Sequence, residues 1–190
     1  KHYGFNNFNS TLPIGKNLNN VGNFWNVRKY FIEKFNSQKF NETQTLSFTQ
    51  KESNALFDPE KKSVKVINPI DQTQEYLRTN LYSSLIKIYK FNYDQNNFSG
   101  KYFEINNIYT NQPNKNYKLI PKQDYTLGYV VPDNVSDINP MQYISSLLRK
   151  IIPGVSFEQL NKPGFHFNNS YVLMLNDKII GHAGQLSYLL

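Results

Sequence analysis

A chain of 190 residues with 21 Lys and Arg against 14 Asp and Glu carries a formal charge of +7; it is long enough for one core that buries roughly 70% of the unfolded surface. The absence of cysteine excludes disulfides, zinc-thiolate sites and cysteine nucleophiles, so any chemistry must come from oxygen and nitrogen groups. Excess lysine favours acidic partners such as phosphate backbones, but Asn, Lys, Phe, Tyr and Ile are abundant together, as AT-rich codons dictate, so the lysines alone name no partner.

After a polar lead ending at Pro13, Val21, Phe24, Val27, Phe31 and Phe35 recur at helical spacing, with Asn20 available as a cap. Thr43 to Phe48 alternates like a half-buried strand, Leu46 and Phe48 on one face. Thr49 followed by Glu52 forms a capping-box signature before Ala55, Leu56 and Phe57, which predicts a short helix. Val64 to Ile67 reads as a strand closed by Asn68 and Pro69, because proline disfavours helix before it and donates nothing to a sheet. A helix opening at Arg78 follows, with Leu77, Leu81, Leu85 and Ile88 on one face.

In KYFEINNIYT, Phe103, Ile105 and Tyr109 alternate with Tyr102, Glu104 and Ile108; two apolar sides predict a central strand. Asp124 to Val131 is the next strand. Pro140 is placed to start a helix carrying Met141, Ile144, Leu148 and Ile151, which Pro153 and Gly154 end. Tyr171 to Leu175, an Asn176-Asp177 turn and Lys178 to Ile180 predict a hairpin with a two-residue loop. Helices between hairpin-linked strands, without regular strand-helix alternation, point to an α+β fold with a mostly antiparallel sheet.

No apolar run reaches membrane-spanning length, and KHYGFNNFNS lacks the apolar core of a secretion signal, so a cytoplasmic setting is expected. The chain starts at Lys1 and stops in SYLL, and reads as a piece of a longer protein. His2, His166 and His182 are too scattered to share a metal. Gly181 and Gly184 lack the lysine and hydroxyl offsets of a phosphate loop and suit a hairpin end or a bulge. Arginine is scarce: Arg28, Arg78 and Arg149, each on a predicted helix. At the first turn of its helix Arg78 opposes the positive helix end, which is tolerable if Asp71 or Glu75, or a partner chain, receives it.

VINPIDQTQEYLRTNLYSSLIKIYKFN resembles the "NP, spacer, LRTSL, leucine-rich helix" segment of the bacterial phenylalanyl-tRNA synthetase β-subunit family. In order along the chain, YGFNNFNSTLP resembles the tail of the module preceding that family's catalytic-like domain, and KFNETQTLSFT its "GFQEV, TYSL" strand. KYFEINNIY is similar to "RLFEIGRVF", and NDKIIGHAGQLS to "GKxIGxLGELHP". The chain departs where "FFDLKG" gives way to NVSDINP and "HPGRSA" to FHFNNSY.

The resemblance implies a tail and linker over residues 1–15 and a catalytic-like, non-catalytic domain over 16–190, with the antiparallel sheet and flanking helices of class II aminoacyl-tRNA synthetases. It implies no catalytic, metal or cofactor residues in this piece: ATP and Mg2+ serve the whole enzyme through the α subunit. The family's magnesium carboxylates and editing site precede YGF. The implied partners are the α subunit, in a heterotetramer of two α and two β, and tRNA(Phe) through surface lysines, without a membrane. Asn68, Pro69, Leu77, Arg78, Thr79, Leu81, Phe103 and Glu104 are the expected interface or structural residues. The place of a nucleotide-gripping arginine falls near Thr110, where YTNQ offers no guanidinium.

Overall fold

A computed structural model describes residues 22–113, 120–134 and 138–187. The expected tail over residues 1–15, and Asn20 with Val21, lie outside the described residues. Helix α1, Asn23–Ser37, is preceded by Gly22 and has no side-chain cap. Only the C-terminal half of its stripe reaches the core: Phe35 is buried and stacks on Phe103 at 5.0 Å, whereas Phe24 and Val27 are exposed.

Strand β4, Tyr102–Pro113, is central as predicted. It pairs in parallel with the two-residue β1, Asn41–Glu42, and antiparallel with β5, Pro121–Val130. The alternation from Thr43 to Phe48 does not make a strand there, and Leu46 is 71% exposed. Thr43 N instead donates to Phe103 O, and Thr45 N donates to the Glu104 carboxylate, so a side-chain acceptor replaces a neighbouring strand. Pairing resumes only at β2, Phe48–Thr49, against β3, Tyr76–Leu77.

Thr49 therefore belongs to a strand. The short helix α2, Lys51–Ala55, follows Gln50 and receives no side-chain cap, so the capping box does not form. The expected strand from Val64 to Ile67 contracts to one bridge, Lys65 to Tyr76, and Ile67 lies exposed.

Helix α3, Tyr82–Asp94, starts beyond Arg78 rather than at it. The Arg78 backbone is held between strands instead, its N donating to Ser47 O and its O accepting from Tyr109 N. Leu77 thus sits on β3, while Leu81 and Leu85 pack with Tyr102.

Helix α4, Pro140–Ile151, opens as predicted, with Asn139 Oδ1 accepting from Met141 N at 2.8 Å. It acts as a wedge between sheets. Leu147 and Ile151 pack with Phe35, Phe40 and Phe103 on one side; Ile144 and Leu148 pack with Val155, Leu173 and Ala183 on the other. That second side is a sheet of β6, Ser156–Gln159, β7, Phe165–Leu175, and β8, Lys178–Leu186, all antiparallel.

The β7–β8 turn is the predicted two-residue one. Asn176 and Asp177 both have left-handed φ, 50° and 59°, the geometry that matches strand twist in a tight hairpin. Pairing shifts between Leu173–Gly181 and Met174–Ile179, leaving Ile180 as a bulge beside Gly181. The α+β architecture with mainly antiparallel pairing agrees with the sequence reading. Two features were not anticipated there: the parallel β1–β4 pair, and the division of the strands among three sheets.

Candidate functional site

Two buried polar nodes and one cleft stand out. The first node centres on Arg78, which is 1% exposed and pairs with the equally buried Glu104, Nη1 to Oε1 at 3.1 Å. Arg78 Nε donates to Asn107 O at 3.0 Å and Nη1 also to Thr45 Oγ1 at 2.7 Å. The Glu104 carboxylate further accepts from Thr45 N, Thr45 Oγ1 and Asn106 Nδ2 at 3.1, 2.7 and 2.9 Å. Within this node, Arg78 Nη2 is the one buried side-chain atom without a hydrogen-bond partner among the described residues.

Neither carboxylate expected to receive Arg78 does so. Asp71 accepts from the Thr73 backbone and hydroxyl within its own turn, and Glu75 pairs with Lys65 at 3.0 Å. The supposed conflict with the helix end also vanishes, because α3 begins after Arg78.

The second node surrounds Asp58, which sequence reasoning did not single out. Its Oδ1 accepts from Lys162 at 3.0 Å; its Oδ2 accepts from Asn80 at 3.0 Å and Lys61 at 3.2 Å. Asn54 completes the node: its Oδ1 accepts from Thr79 N and its Nδ2 donates to Leu77 O, holding the strand end. Asn80 Oδ1 then accepts from Tyr82 N and starts α3. Asp58, Asn80 and Lys162 are polar residues in loops and turns and Asn54 a polar residue in the one-turn helix α2, and sequence offered no signal beyond that.

The other predicted residues scatter. Asn68 is exposed and Pro69 half-buried in the loop before β3. Phe103 is in the aromatic core with Phe35, and Thr79 and Leu81 are buried next to the nodes. Arg28 pairs with Glu42 at 2.6 Å, and Arg149 lies 5.5 Å over the Phe157 ring.

A cleft of about 1200 Å3 opens between α3, β5, α4 and the β7–β8 hairpin, with Asp58, Lys61 and Lys162 in its wall. None of the three arginines lines it. Its two cations are the lysines already bound to Asp58.

Residues 9–190 match the family described as "Phenylalanyl tRNA synthetase beta chain CLM domain". The chain belongs to that family. This CLM domain is 21% identical to the phenylalanine-tRNA ligase beta subunit of Lactococcus lactis, over 97% of this chain and 24% of that protein. It is 28% identical to the corresponding subunit of Aster yellows witches'-broom phytoplasma, over 77% of this chain and 18% of that one. The chain thus spans about a quarter or less of the length of these curated relatives. In three dimensions it is similar to the pyrrolysyl tRNA synthetase PylSc of Desulfitobacterium hafniense, with a TM-score of 0.61 over 87% of this chain and 57% of that chain at 13% identity. That likeness is one of fold, and places the CLM domain among class II synthetase-like α+β folds. No helix among the described residues is long and apolar enough to cross a membrane.

Within the CLM domain the Asp58 node is electrostatically tuned. Burial alone would raise the Asp58 pKa, but Lys61 and Lys162 outweigh it and hold the carboxyl below its ordinary 3.8. A depressed carboxyl stabilises the fold fully above about pH 5 and loses that contribution as pH falls past 3.8 through the folded value. Asp58→Asn is therefore expected to be less stable than the parent at pH 7. The gap should narrow below pH 3.8, as measured by urea unfolding across a pH series. A gap that stays constant with pH would contradict the assignment.

Proposed function

We propose that this CLM domain is a non-catalytic, structural part of the β subunit of a cytoplasmic phenylalanine-tRNA ligase. In this reading it supports an α subunit that activates phenylalanine with ATP and Mg2+ and charges tRNA(Phe), in an assembly of two α and two β chains. The observation that carries the reading is the charge inventory of the cleft. Stabilising phosphates in a transition state requires cations aimed at the developing charge. Here Lys61 and Lys162 share one carboxylate, and Arg78 is spent on Glu104 in the interior. On β4 the expected arginine position is Thr110, which pairs with Lys122 of β5.

Arg78, Leu77, Thr79, Leu81, Phe103 and Glu104 then belong to the structural side of the expected set: a guanidinium that is 1% exposed braces the domain from within and does not grip a partner. The surface suited to the α subunit is α1, where Phe24, Trp25, Val27 and Tyr30 are exposed together near the helix start. Aromatic side chains on an open face are the composition of an interface core.

Phenylalanine-dependent ATP-pyrophosphate exchange tests this. The full-length β chain alone is expected to show none, and the chain reconstituted with its α partner full exchange. Exchange by the β chain alone would overturn the reading.

A further inference from the structure

Two sheet edges line the cleft. Among the described residues β5 pairs only with β4, and β8 only with β7, so each strand ends its own sheet. Every residue from 125 to 133 and every residue from 179 to 187 borders the cleft. Side chains of a strand alternate between its faces, so a cleft bordered by odd and even residues alike runs along the strand edge and not over one face. Burial agrees: residues 126–130 are all half-buried, without the alternation of a sheet that covers a single face.

An antiparallel ladder uses the N–H and C=O of every second residue and turns the others away. Among the described residues, the backbones of 126–130 and 179–184 make no hydrogen bond outside their ladders with β4 and β7. Two rows of backbone donors and acceptors thus face the cleft. Open edges are normally blunted by charged side chains or proline, yet residues 125–131 and 179–187 contain no Asp, Glu, Lys, Arg or Pro. The bulge at Ile180 blunts only the hairpin end.

An apolar floor is already in place. A Cβ on Gly128 of β5 would stand 2.7 Å from Leu85 Cδ1 of α3, Ile144 and Leu148 of α4 pack with Leu173 and Ala183, and all three helix side chains border the cleft. With a rise of ~3.3 Å, a strand spacing of ~4.8 Å and a layer thickness of ~10 Å, one strand residue takes roughly 160 Å3. The cleft of about 1200 Å3 therefore has room for about seven residues in extended form.

We infer that the cleft receives one extended strand, contributed by the same polypeptide from outside residues 1–190, which pairs with β5 on one edge and β8 on the other. Its inward side chains are apolar and rest on Leu85, Ile144 and Leu148. Length and cost identify the source. The chain covers only 24% of its Lactococcus lactis relative, and a strand from the same chain pays loop-closure entropy that grows slowly with length, whereas a separate molecule also gives up its translational freedom. A separate donor would moreover leave two unprotected edges open to aggregation until it arrived. Pairing at these edges is independent of the scaffold reading above, since it holds whichever subunit activates the amino acid.

Gly181 gives the test its handle, because it borders the cleft and no atom lies within 4 Å of where its Cβ would stand. In the assembled full-length protein, Gly181→p-benzoylphenylalanine is irradiated and the captured peptide is read by mass spectrometry. One cross-link within the same chain is expected, to a segment outside residues 1–190 that has apolar residues at every second position and no proline in its paired run. Capture only of the partner chain, of a second copy or of peptides within residues 1–190 overturns the proposal.

Hydrogen exchange of the unmodified assembly decides the matter if that variant fails to fold. Peptides covering 126–130 and 179–184 should exchange every amide at least a hundredfold more slowly than an unstructured chain. Fast exchange at every second amide, as an open edge gives, overturns the proposal.

Discussion

Replacing Arg78 with Ala is expected to destabilise the domain by about 3–5 kcal/mol, the range for removing one partner of a buried ion pair. Against the 5–15 kcal/mol that typically separates folded from unfolded domains, this is enough to lower the yield of folded protein. The loss would come from Glu104, left buried with three remaining donors but no cation. The joint between β3, β4 and the Thr45 loop would also lose the bonds to Asn107 O and Thr45 Oγ1. Arg78→Lys should recover only part of it, because one ammonium cannot reach the three acceptors that the planar fork spans. In urea unfolding, Arg78→Met combined with Glu104→Leu should lose less than the sum of the two single changes. Strict additivity would show that the two side chains do not act as a pair.

A second large effect is expected at the surface. Trp25→Asp combined with Phe24→Asp should leave the fold intact, since Phe24 and Trp25 are 41% and 54% exposed and belong to none of the buried clusters. The same change should weaken association with the α chain by about a hundredfold or more, given the roughly 2–4 kcal/mol carried by an aromatic anchor. Ile70→Asp, on the exposed loop ahead of β3, is the control and should change nothing. Pull-down and sedimentation of the full-length chains read the difference. Undiminished assembly with the doubly charged helix would move the interface elsewhere.

Elements specified by neighbours in sequence were legible before any coordinates. Pro140 announces α4, and Asn176-Asp177 announces its hairpin, because a proline in a first helical turn and a left-handed turn need only local chemistry. Elements decided by distant partners were not. Thr43 to Phe48 alternates like a strand, yet the Glu104 carboxylate intercepts its backbone. The apolar spacing of Leu77 with Leu81 suggests one helix, but Arg78 between them is pinned into the sheet by Ser47 and Tyr109.

The same division runs through the candidate site. Scarcity marked Arg78 as worth following, while its true acid lies on another strand, and the turn acids nearer in sequence were the natural guess. Asp58 escaped notice because an aspartate before a proline looks like any loop residue until Lys162 is folded against it. Strand β6 was missed for a related reason: Ser156–Gln159 has little apolar alternation and is defined by its ladder to β7.

The Asp58–Lys162 contact joins residues 104 positions apart. On a ribosome adding roughly 5–20 residues per second, the carboxylate waits on the order of 5–20 s for that lysine to be made. Until then Lys61, three residues on, is the cation Asp58 has at hand. The Asp58 node is therefore completed only after the loop that precedes the closing hairpin has been made.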